Sequence, residues 1–466
     1  MALSFQNCCY ADLALNDGSR QLSYQELFQS SKAAKEKVSH QKMDCSETIG
    51  LIVDQSVSSI AVLLGMAGID ANILLLDSFQ PEEEYERIGE LCNVRIWIAD
   101  NSQKTKLPLS DNNSFFQYDD LLESHFNSEP EKIIINENSM FLLPSSGSTG
   151  RTKIVRIPKT MVMSEGKKFS KWFGLLSKDA VLTTVPLNYM YGLSAALFGS
   201  LYNGSSLHIC KNPSPRKVAK FTQDFGCTVI FSIPQMYHLL NQSDMINKRD
   251  VESLRLFITA GDKLEIEVAK KFDKKFGSKI LQIYGSTETG CIAADRPNKK
   301  FLTDTVGSVM DGVKVLFSTD KRILVKSKTL FKGYLTEEGI DNPVSNNTFT
   351  TNDIGEFRED QLKVHGRYSP HIKVGARLID PNEILQAIEK YPGVVKVEVR
   401  GEPDLTYGQR IIANVTAKHS ISENKIKDFL RSILPHYKIP HIIYVSDKSY
   451  SWKKSYISVE EKPSNG

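Results

Sequence analysis

Short β-branched runs alternate with helical patterns along most of the chain, and this alternation limits the folds that it can adopt. Residues 49–53 form a continuous apolar run typical of a buried strand. Residues 58–66 then place apolar side chains at helical spacing, and residues 73–76 read as a strand again. The order returns later, where a helical pattern over 217–225 precedes a strand pattern over 228–231. Strands separated by helices predict parallel sheets covered by helices.

The sequence pattern changes twice toward the C-terminus. Residues 323–363 contain short strand patterns and turns, which predict a β-rich subdomain. After Gly366 and Arg367 comes a stretch of about a hundred residues, the size of one small domain. We therefore predict an α/β fold with two parts. A large N-terminal body of parallel-sheet α/β subdomains plus a β-rich subdomain spans residues 1–367, and a small α+β C-terminal domain spans residues 368–466.

Composition excludes some partners. The 466 residues carry a formal net charge of only +3, which argues against a basic face for nucleic acid. The longest apolar stretch, residues 60–76, is interrupted by Gly65, Gly68 and Asp70 and is too broken to span a bilayer. The N-terminus lacks a basic start followed by an apolar run, and no cysteines show Cys-x-x-Cys spacing. We expect a cytoplasmic protein with reduced thiols and no membrane partner.

A segment rich in glycine and hydroxyl groups follows the apolar run 140–143 and predicts a phosphate-binding loop. The segment is Ser145-Ser146-Gly147-Ser148-Thr149-Gly150-Arg151-Thr152-Lys153. Its two glycines can turn successive N–H groups toward one anion, its hydroxyls can donate hydrogen bonds, and its closing lysine can reach outer phosphates. It is not a Walker loop, because no Ser or Thr follows a Gly-Lys pair. Taken alone, a segment rich in serine and glycine is more often a flexible loop.

A second segment, Tyr284-Gly285-Ser286-Thr287-Glu288-Thr289-Gly290, directly follows the strand pattern 280–283. Ligands of α/β sheets bind beyond the C-terminal ends of parallel strands. Thr287 can donate a hydrogen bond to an α-phosphate, and Glu288 offers the hard oxygen that Mg²⁺ prefers. Either segment, taken separately, is also explained as a tight turn capped by Ser and Thr. This structural explanation has to account for both segments in the same chain.

In this order, the two segments resemble the signatures of the adenylate-forming superfamily, which includes acyl-CoA synthetases, peptide-synthetase adenylation domains and luciferases. The resemblance covers nearly the whole chain, although Thr152 stands where proline is usual and Ile154 where glycine is usual. Further segments that match in family order are 22–27, 68–81, 259–263, 306–309, 330–334, 351–355 and 365–367.

The resemblance implies ATP and Mg²⁺ as cofactors and assigns roles by position. Catalytic roles fall on Lys454, Thr287, Glu288 and Lys153, and metal binding on Glu288 and Thr149. Nucleotide binding is implied for Ser145, Ser146, Gly147, Ser148, Thr149, Gly150, Gly261, Asp262, Lys263, Tyr284, Gly285, Ser286, Asp353 and Arg367. Ser369 takes the hinge position, and Gly375 lies in the loop that serves the thioester step of the family.

The C-terminal lysine is the least regular match. The family ends in a Pro-x-Thr…Gly-Lys pattern, whereas this chain has Trp452-Lys453-Lys454 without the preceding glycine. Position favours Lys454, with Lys453 as the alternative. The alternative interpretation is that Lys453 and Lys454 are an ordinary pair of solvent-exposed charges without a special role.

The acid-binding segment implied by the family is 185–194, and substrate contacts are implied for Tyr189, Tyr191, Gly192, Ala260 and Gly285. Adenylation domains for α-amino acids place an Asp in this segment to pair with the substrate ammonium, and none lies between Pro186 and Ser194. A buried ammonium without a carboxylate is costly, so an aryl or acyl acid is the better fit.

Three functions stay open at this point. The first is a ligase that forms an acyl thioester with coenzyme A. The second is a freestanding adenylating enzyme that loads the phosphopantetheine of a carrier protein. The third is a non-catalytic nucleotide-binding relative, for which the altered segment around Lys453 and Lys454 is the only support.

Overall fold

A computed structural model of the chain describes residues 2–3, 12–41, 47–110, 113–122, 133–146, 152–297, 304–368, 372–374, 377–404 and 408–446. These residues fall into two compact units. The first contains the described parts of Met1–Thr351 together with Gly355–Val364, and the second contains Asn352–Ile354 and residues 365–446. The α/β class with a small C-terminal α+β unit is confirmed. The exact boundary between residues 367 and 368 stays a prediction.

The described strands form three extended sheets and one two-stranded pair. The first sheet has the spatial order Gly339–Asp341, Tyr334–Thr336, Thr152–Pro158, Met140–Ser146, Asn72–Leu76, Thr48–Ile52, Val94–Ala99, Ser114–Gln117. The second has the order Val313–Phe317, Arg322–Ser327, Thr348–Arg358, Gln361–Arg367, Ser308–Val309, Gly290–Ala294, Ile280–Ser286, Leu256–Thr259, Val229–Ser232, Ala180–Thr183, Ser206–Ile209, Leu13–Asn16, Gln21–Ser23. The third has the order Arg377–Ile379, Ile372–Val374, Gly408–Ala417, Val394–Asp404, with Ile442–Ser446 also beside Gly408–Ala417. Ala2–Leu3 pairs with Ile133–Ile134.

Helices connect these strands. The α-helices of the first unit are Tyr24–Ser39, Val57–Ala67, Glu82–Leu91, Tyr118–Leu122, Lys159–Phe173, Gly199–Asn203, Pro215–Phe225, Pro234–Gln242 and Ile266–Phe276, and those of the second unit are Pro381–Glu389 and Glu423–Ile433. Short 3₁₀ helices span Asn101–Lys106, Lys248–Val251 and His436–Lys438, and a π-helix spans Gly192–Phe198. Ser23 and Glu26 form a reciprocal capping box at the start of Tyr24–Ser39, which fixes where that helix begins.

The prediction of parallel strands is confirmed for a block of neighbouring strands in each large sheet. The strands from Asn72–Leu76 to Ser114–Gln117 run parallel, as do those from Ala180–Thr183 to Ile280–Ser286. Antiparallel hairpins extend both sheets, because short turns rather than crossover helices join their later strands. The sheets are therefore mixed.

The strand that contains the apolar run 140–143 extends beyond that run and includes Pro144. The strand Met140–Ser146 continues through Pro144, which pairs with Ile154 of the next strand. The neighbour on its other side, Asn72–Leu76, pairs only as far as Leu142. Pro144 therefore lies where one side of the strand needs no hydrogen-bond donor, which is where a sheet tolerates proline.

None of the described helices is long and apolar enough to cross a membrane. Four cysteines in this part of the chain, Cys92, Cys210, Cys227 and Cys291, are buried and unbridged. Burial raises the pKa of the Cys92 and Cys210 thiols to about 12. These thiols are therefore protonated and shielded, as expected of packing residues.

His208 makes the fold sensitive to acid. Its ring is buried, contacts Asn16 and Ser206 through its two nitrogens and stacks on Phe225. Burial lowers its pKa from 6.5 to about 4. The unfolded chain binds a proton below pH 6.5 that the folded chain refuses until about pH 4, so stability falls as the pH drops through this window. We expect His208 to lower the free energy of unfolding by about 2 kcal/mol when the pH falls from 7 to 5.

The measurement is urea unfolding at both pH values for the native chain and for His208→Asn. Burial raises the pKa of Asp295 to about 6, and this carboxyl contributes the opposite slope in both proteins. The difference between the two proteins therefore isolates His208. Equal pH dependence in the two would contradict the assignment.

Candidate active site

The two ends of the segment predicted to bind phosphate lie on paired antiparallel strands in the first unit. Ser145 pairs with Lys153 across the strands Met140–Ser146 and Thr152–Pro158, and Ser146 pairs with Thr152. The connecting residues Gly147, Ser148, Thr149, Gly150 and Arg151 lie outside the described residues. Ser145, Ser146 and Lys153 therefore lie close together, where the first of these strands ends and the second begins.

Lys153 and Glu288 come from motifs far apart in sequence and meet around Tyr334. The Lys153 ammonium lies 5.0 Å from the centre of the Tyr334 ring, a cation–π contact. The Tyr334 hydroxyl donates to Glu288 Oε1 at 3.0 Å. Burial and the nearby Glu288 charge raise the pKa of Tyr334, so its hydroxyl stays a donor. The two predicted motifs therefore share one tyrosine.

Pairing between strands holds Tyr334 in this place. Val155 pairs with Tyr334 between the strands Thr152–Pro158 and Tyr334–Thr336. The Phe331 N–H donates to the Glu288 carbonyl at 2.9 Å, so the segment 331–334 binds both the backbone and the side chain of Glu288. Tyr334 belongs to a segment that the sequence matched to the family, but nothing in the pattern indicated its contacts.

The second motif is a strand and a tight turn rather than a loop throughout. Ile280–Ser286 extends through Tyr284 and Gly285, and Ser286 pairs with Gly290 at the start of the next strand. An added Cβ at Gly285 would lie 2.1 Å from the Gly290 oxygen, so no side chain fits there. The Thr289 hydroxyl accepts the Ser286 N–H at 3.2 Å and closes the turn. Thr287 and Glu288 stand half-buried at its tip.

The segment predicted to lie beside adenine also ends a parallel strand. Leu256–Thr259 lies next to Ile280–Ser286, and Ala260 follows it as a buried residue. Gly261 has φ +85°, a left-handed conformation that glycine adopts without strain. Asp262 and Lys263 are exposed beyond it. This segment and the turn at Glu288 therefore follow neighbouring strands.

Asp353 and Arg367 belong to the second unit. They lie on the adjacent strands Thr348–Arg358 and Gln361–Arg367, and Tyr368 N–H donates to the Asn352 carbonyl. This bond places both residues at the same end of the hairpin. Asp353 is half-buried.

Tyr189 and Tyr191, predicted as substrate contacts, have hydroxyls that bind the protein itself. The Tyr189 hydroxyl donates to Asp77 Oδ2 at 2.8 Å, and burial together with that charge raises its pKa. The Tyr191 hydroxyl lies 3.2 Å from the Ile258 carbonyl and 3.3 Å from the Ser232 carbonyl. Each tyrosine therefore presents its ring, not its hydroxyl, to any neighbouring space.

Gly192 and Gln55 shape the same segment. An added Cβ at Gly192 would lie 2.1 Å from the Pro186 oxygen, so only glycine fits at the start of the π-helix. Gln55 accepts the Leu187 N–H at 2.9 Å, and its own backbone has φ +64°. A cavity lies beside Gln55 where strand ends of the first and second sheets meet, lined by Asp54, Phe79, Thr184, Pro186 and Lys211 among others.

Sequence reasoning missed Asp77, Gln55 and Glu165. Glu165 left a readable signal, because it lies four residues from both Met161 and Phe169 on the buried face of the helix Lys159–Phe173. An acidic residue on such a face needs a partner. Asp77 and Gln55 gave no comparable signal, since each simply follows a buried strand.

Several predicted residues lie outside the described part of the chain. They are Gly147, Ser148, Thr149 and Gly150 of the phosphate segment, Ser369 and Gly375 near the predicted hinge, and the lysines Lys453 and Lys454. Their roles stay predictions.

The described donors fit a magnesium ion that accompanies a nucleotide. No cluster of three or more His, Cys, Asp or Glu side chains able to hold a metal occurs in the described ranges. Mg²⁺ bound with nucleotides uses one or two carboxylates and completes its shell with phosphate oxygens and water. Glu288, fixed by Tyr334 at one oxygen, can supply that single carboxylate.

The comparisons with known proteins agree with one another. The family model described as AMP-binding enzyme matches residues 6–335. Surfactin synthase subunit 2 of Bacillus subtilis is 22% identical to this chain. The match covers 92% of this chain and 13% of that protein. The 2-succinylbenzoate–CoA ligase of Lactococcus lactis is 25% identical over 87% of this chain and 88% of its own length. This chain covers less than two thirds of several other curated relatives.

Solved structures share the fold. The crystal structure of ATP-bound MatB from Rhodopseudomonas palustris matches with a TM-score of 0.79 at 20% identity. The match covers 96% of this chain and 94% of MatB. At this identity the likeness supports the fold.

Proposed function

This chain belongs to the family of AMP-binding enzymes, and on that premise we propose that it activates a carboxylic acid with ATP and transfers the acyl group to coenzyme A. The observation that carries the proposal is the cluster of Lys153, Tyr334 and Glu288. It joins the two predicted nucleotide-binding motifs in one place, as a grip on a polyphosphate requires.

The reaction explains why such a grip is needed. A carboxylate is a poor acyl donor, because its leaving group would be oxide. Attack of a carboxylate oxygen on the α-phosphorus of ATP forms an acyl-adenylate and releases pyrophosphate. A thiolate then attacks the acyl carbon and releases AMP. Both steps bring anions together, so positioning and cationic stabilisation supply most of the catalysis.

The residues of the first unit divide this work. Lys153 would hold the departing pyrophosphate, and Thr287 at the tip of its turn would donate to the α-phosphate. Glu288, with Thr149 from the phosphate segment, would hold Mg²⁺, whose charge neutralises phosphate oxygens when it is bound. Gly261, Asp262 and Lys263 would line the adenine side.

Residues of the second unit and the C-terminus complete the assignment. Asp353 can accept hydrogen bonds from both ribose hydroxyls, and Arg367 would contact ribose and phosphate. Lys454, or Lys453 beside it, would bridge the carboxylate and the α-phosphate. Rotation about Ser369 would then bring the loop of Gly375 to the site for thiol attack.

An aryl or acyl acid is the better substrate class. Asp77 lies beside Tyr189, although the segment 186–194 itself has no Asp. The oxygens of Asp77 already accept hydrogen bonds from the Tyr189 hydroxyl, the Phe79 N–H and the Gln80 amide. These three donors occupy most of the acceptor positions of Asp77, so we expect it to be a weaker partner for a substrate ammonium than an unengaged carboxylate, and α-amino acids remain disfavoured.

The second candidate acceptor is the phosphopantetheine of a carrier protein. The resemblance of the sequence motifs to peptide-synthetase adenylation domains supports it, and the match with 2-succinylbenzoate–CoA ligase over 88% of that protein favours coenzyme A. The acceptor therefore has to be decided by experiment.

The test is ATP–pyrophosphate exchange across a panel of aryl, alkyl and amino acids. We expect exchange that depends on one aryl or acyl acid and on Mg²⁺. Thioester formation with coenzyme A, compared with a phosphopantetheinylated carrier protein, then identifies the acceptor. ATP binding without exchange for any acid would instead support the non-catalytic relative. Full exchange in both Lys454→Ala and Lys453→Ala would refute the lysine assignment.

A further inference from the structure

Glu165 is a carboxylate buried behind the turn that carries Thr287 and Glu288. Its side chain has no exposed surface, and it lies on the helix Lys159–Phe173. One oxygen accepts the Cys291 N–H at 2.9 Å, and the other accepts from the Lys168 ammonium at 2.8 Å. A buried charge is costly unless it is paired and hydrogen-bonded, so this arrangement has to be specific.

The bond to Cys291 falls where the hairpin ladder is irregular. Tyr284 pairs with Ala293, but Gly285 pairs with Cys291, so the register shifts between them. A bulge of this kind leaves ladder groups without their usual partners. Glu165 supplies the acceptor for Cys291 at this point.

Gly290 fits the carboxylate closely. Its φ is +66°, and a Cβ added there would lie 2.7 Å from the Glu165 carboxylate. The turn therefore rests against Glu165 through a residue that has neither a side chain nor room for one. The position of the turn is set by contact as well as by the hydrogen bond.

Lys168 extends the contact to the other support of Glu288. Its ammonium also donates to the Thr329 hydroxyl at 3.2 Å. Thr329 lies two residues before Phe331, which together with Tyr334 binds the backbone and the carboxylate of Glu288. Glu165 and Lys168 thus join the hairpin to the strand segment that holds the tip of its turn.

We propose that Glu165, through its contacts with the hairpin and with Lys168, is a positioning residue that fixes Glu288 in the orientation required for Mg²⁺–ATP. This inference rests on the proposed function. Glu165 itself is buried behind the turn and acts through the hairpin.

The test compares Glu165→Ala, Glu165→Gln and the native chain. Glu165→Gln keeps an acceptor for Cys291 but removes the charge that pairs with Lys168, so we expect it to lie between the other two. Loss of a residue that orients a metal ligand lowers metal affinity roughly 10–100-fold. We expect the Mg²⁺ concentration for half-maximal ATP binding to rise by roughly this factor in Glu165→Ala, while the KM for the acid stays unchanged.

Hydrogen exchange supplies a readout that needs no turnover. We expect amides of residues 284–291 to exchange about tenfold faster in Glu165→Ala, without a comparable change elsewhere in the first unit. If the amide hydrogens of residues 284–291 exchange at the same rate in Glu165→Ala as in the native chain, the proposal is overturned. Faster exchange without a shift in the Mg²⁺ requirement would also overturn it, because Glu165 would then serve only the fold.

Asp179→Asn is the matched control. Asp179 is another buried carboxylate with a cationic partner, Arg255 at 2.5 Å, and it precedes the strand Ala180–Thr183 at the end opposite the predicted site. We expect the Asp179→Asn variant to be less stable but to keep the native Mg²⁺ requirement for ATP binding.

The proposed function and the role of Glu165 can fail separately. If the native chain exchanges no pyrophosphate with any acid, the proposed function fails. Mg²⁺-dependent ATP binding and hydrogen exchange still decide the role of Glu165 in that case.

Discussion

Lys153→Ala is expected to slow ATP–pyrophosphate exchange by roughly 100-fold or more, the typical effect of removing one preorganised charge-stabilising group. The Lys153 ammonium lies over the Tyr334 ring, within the cluster that also holds Glu288. In the proposed function, Lys153 holds the departing pyrophosphate. The measurement is the exchange rate at saturating ATP and acid.

Arg156→Ala provides the control for this variant. Arg156 lies on the same strand, but three residues further along, so its side chain leaves the opposite face. It donates to the Lys332 carbonyl at 2.9 Å. We expect a far smaller change in the exchange rate. A native rate in Lys153→Ala would show that this lysine does not stabilise the pyrophosphate.

Lys159→Ala is expected to lower the free energy of unfolding by about 3 kcal/mol or more. The Lys159 side chain is fully buried, and its ammonium donates to the carbonyls of Met66, Ile69 and Ala71 at 2.9 to 3.2 Å. Burial lowers its pKa to about 7. Alanine would leave these carbonyls buried without a donor, and each unsatisfied group costs about 1–3 kcal/mol. Urea unfolding measures the loss.

Lys275→Ala is the matched control for this loss. Lys275 also donates to backbone carbonyls, those of Leu240, Asn241 and Ser243 at the end of a helix, but it is only partly buried. Water can replace its hydrogen bonds, so we expect a loss of about 1 kcal/mol. Equal losses in the two variants would contradict the role given to burial.

The sequence predicted the described helices and strands well where the hydrophobic period was clear. The pattern at 58–66 matches the helix Val57–Ala67 to within one residue at each end, and the pattern at 73–76 matches the strand Asn72–Leu76 to within one residue. Such patterns report burial directly, because one face of each element packs against the core.

The sequence could not predict contacts between distant elements. It placed Lys153 and Glu288 in separate motifs, but not the Tyr334 side chain between them. It likewise treated Tyr284 and Gly285 as a loop, whereas strand pairing across a bulge extends the strand to Ser286. Register, bulges and shared partners depend on which strands become neighbours, and that information is not local.

The acid-binding segment shows the same limit. Tyr189 and Tyr191 were predicted from position, and the sequence pattern treated them alike. In the structure they turn to different sheets, one hydroxyl toward Asp77 after a strand of the first sheet and the other toward backbone of the second. The different partners of the two hydroxyls could be identified only from the fold.

Transfer of an oxygen isotope tests the central claim most directly. A preferred acid labelled with ¹⁸O in its carboxylate is incubated with ATP, Mg²⁺ and the thiol acceptor, and the AMP is analysed by mass spectrometry. Attack of the carboxylate on the α-phosphorus predicts AMP that carries one ¹⁸O, with unlabelled pyrophosphate. Unlabelled AMP, or ADP as the nucleotide product, would contradict activation through an acyl-adenylate.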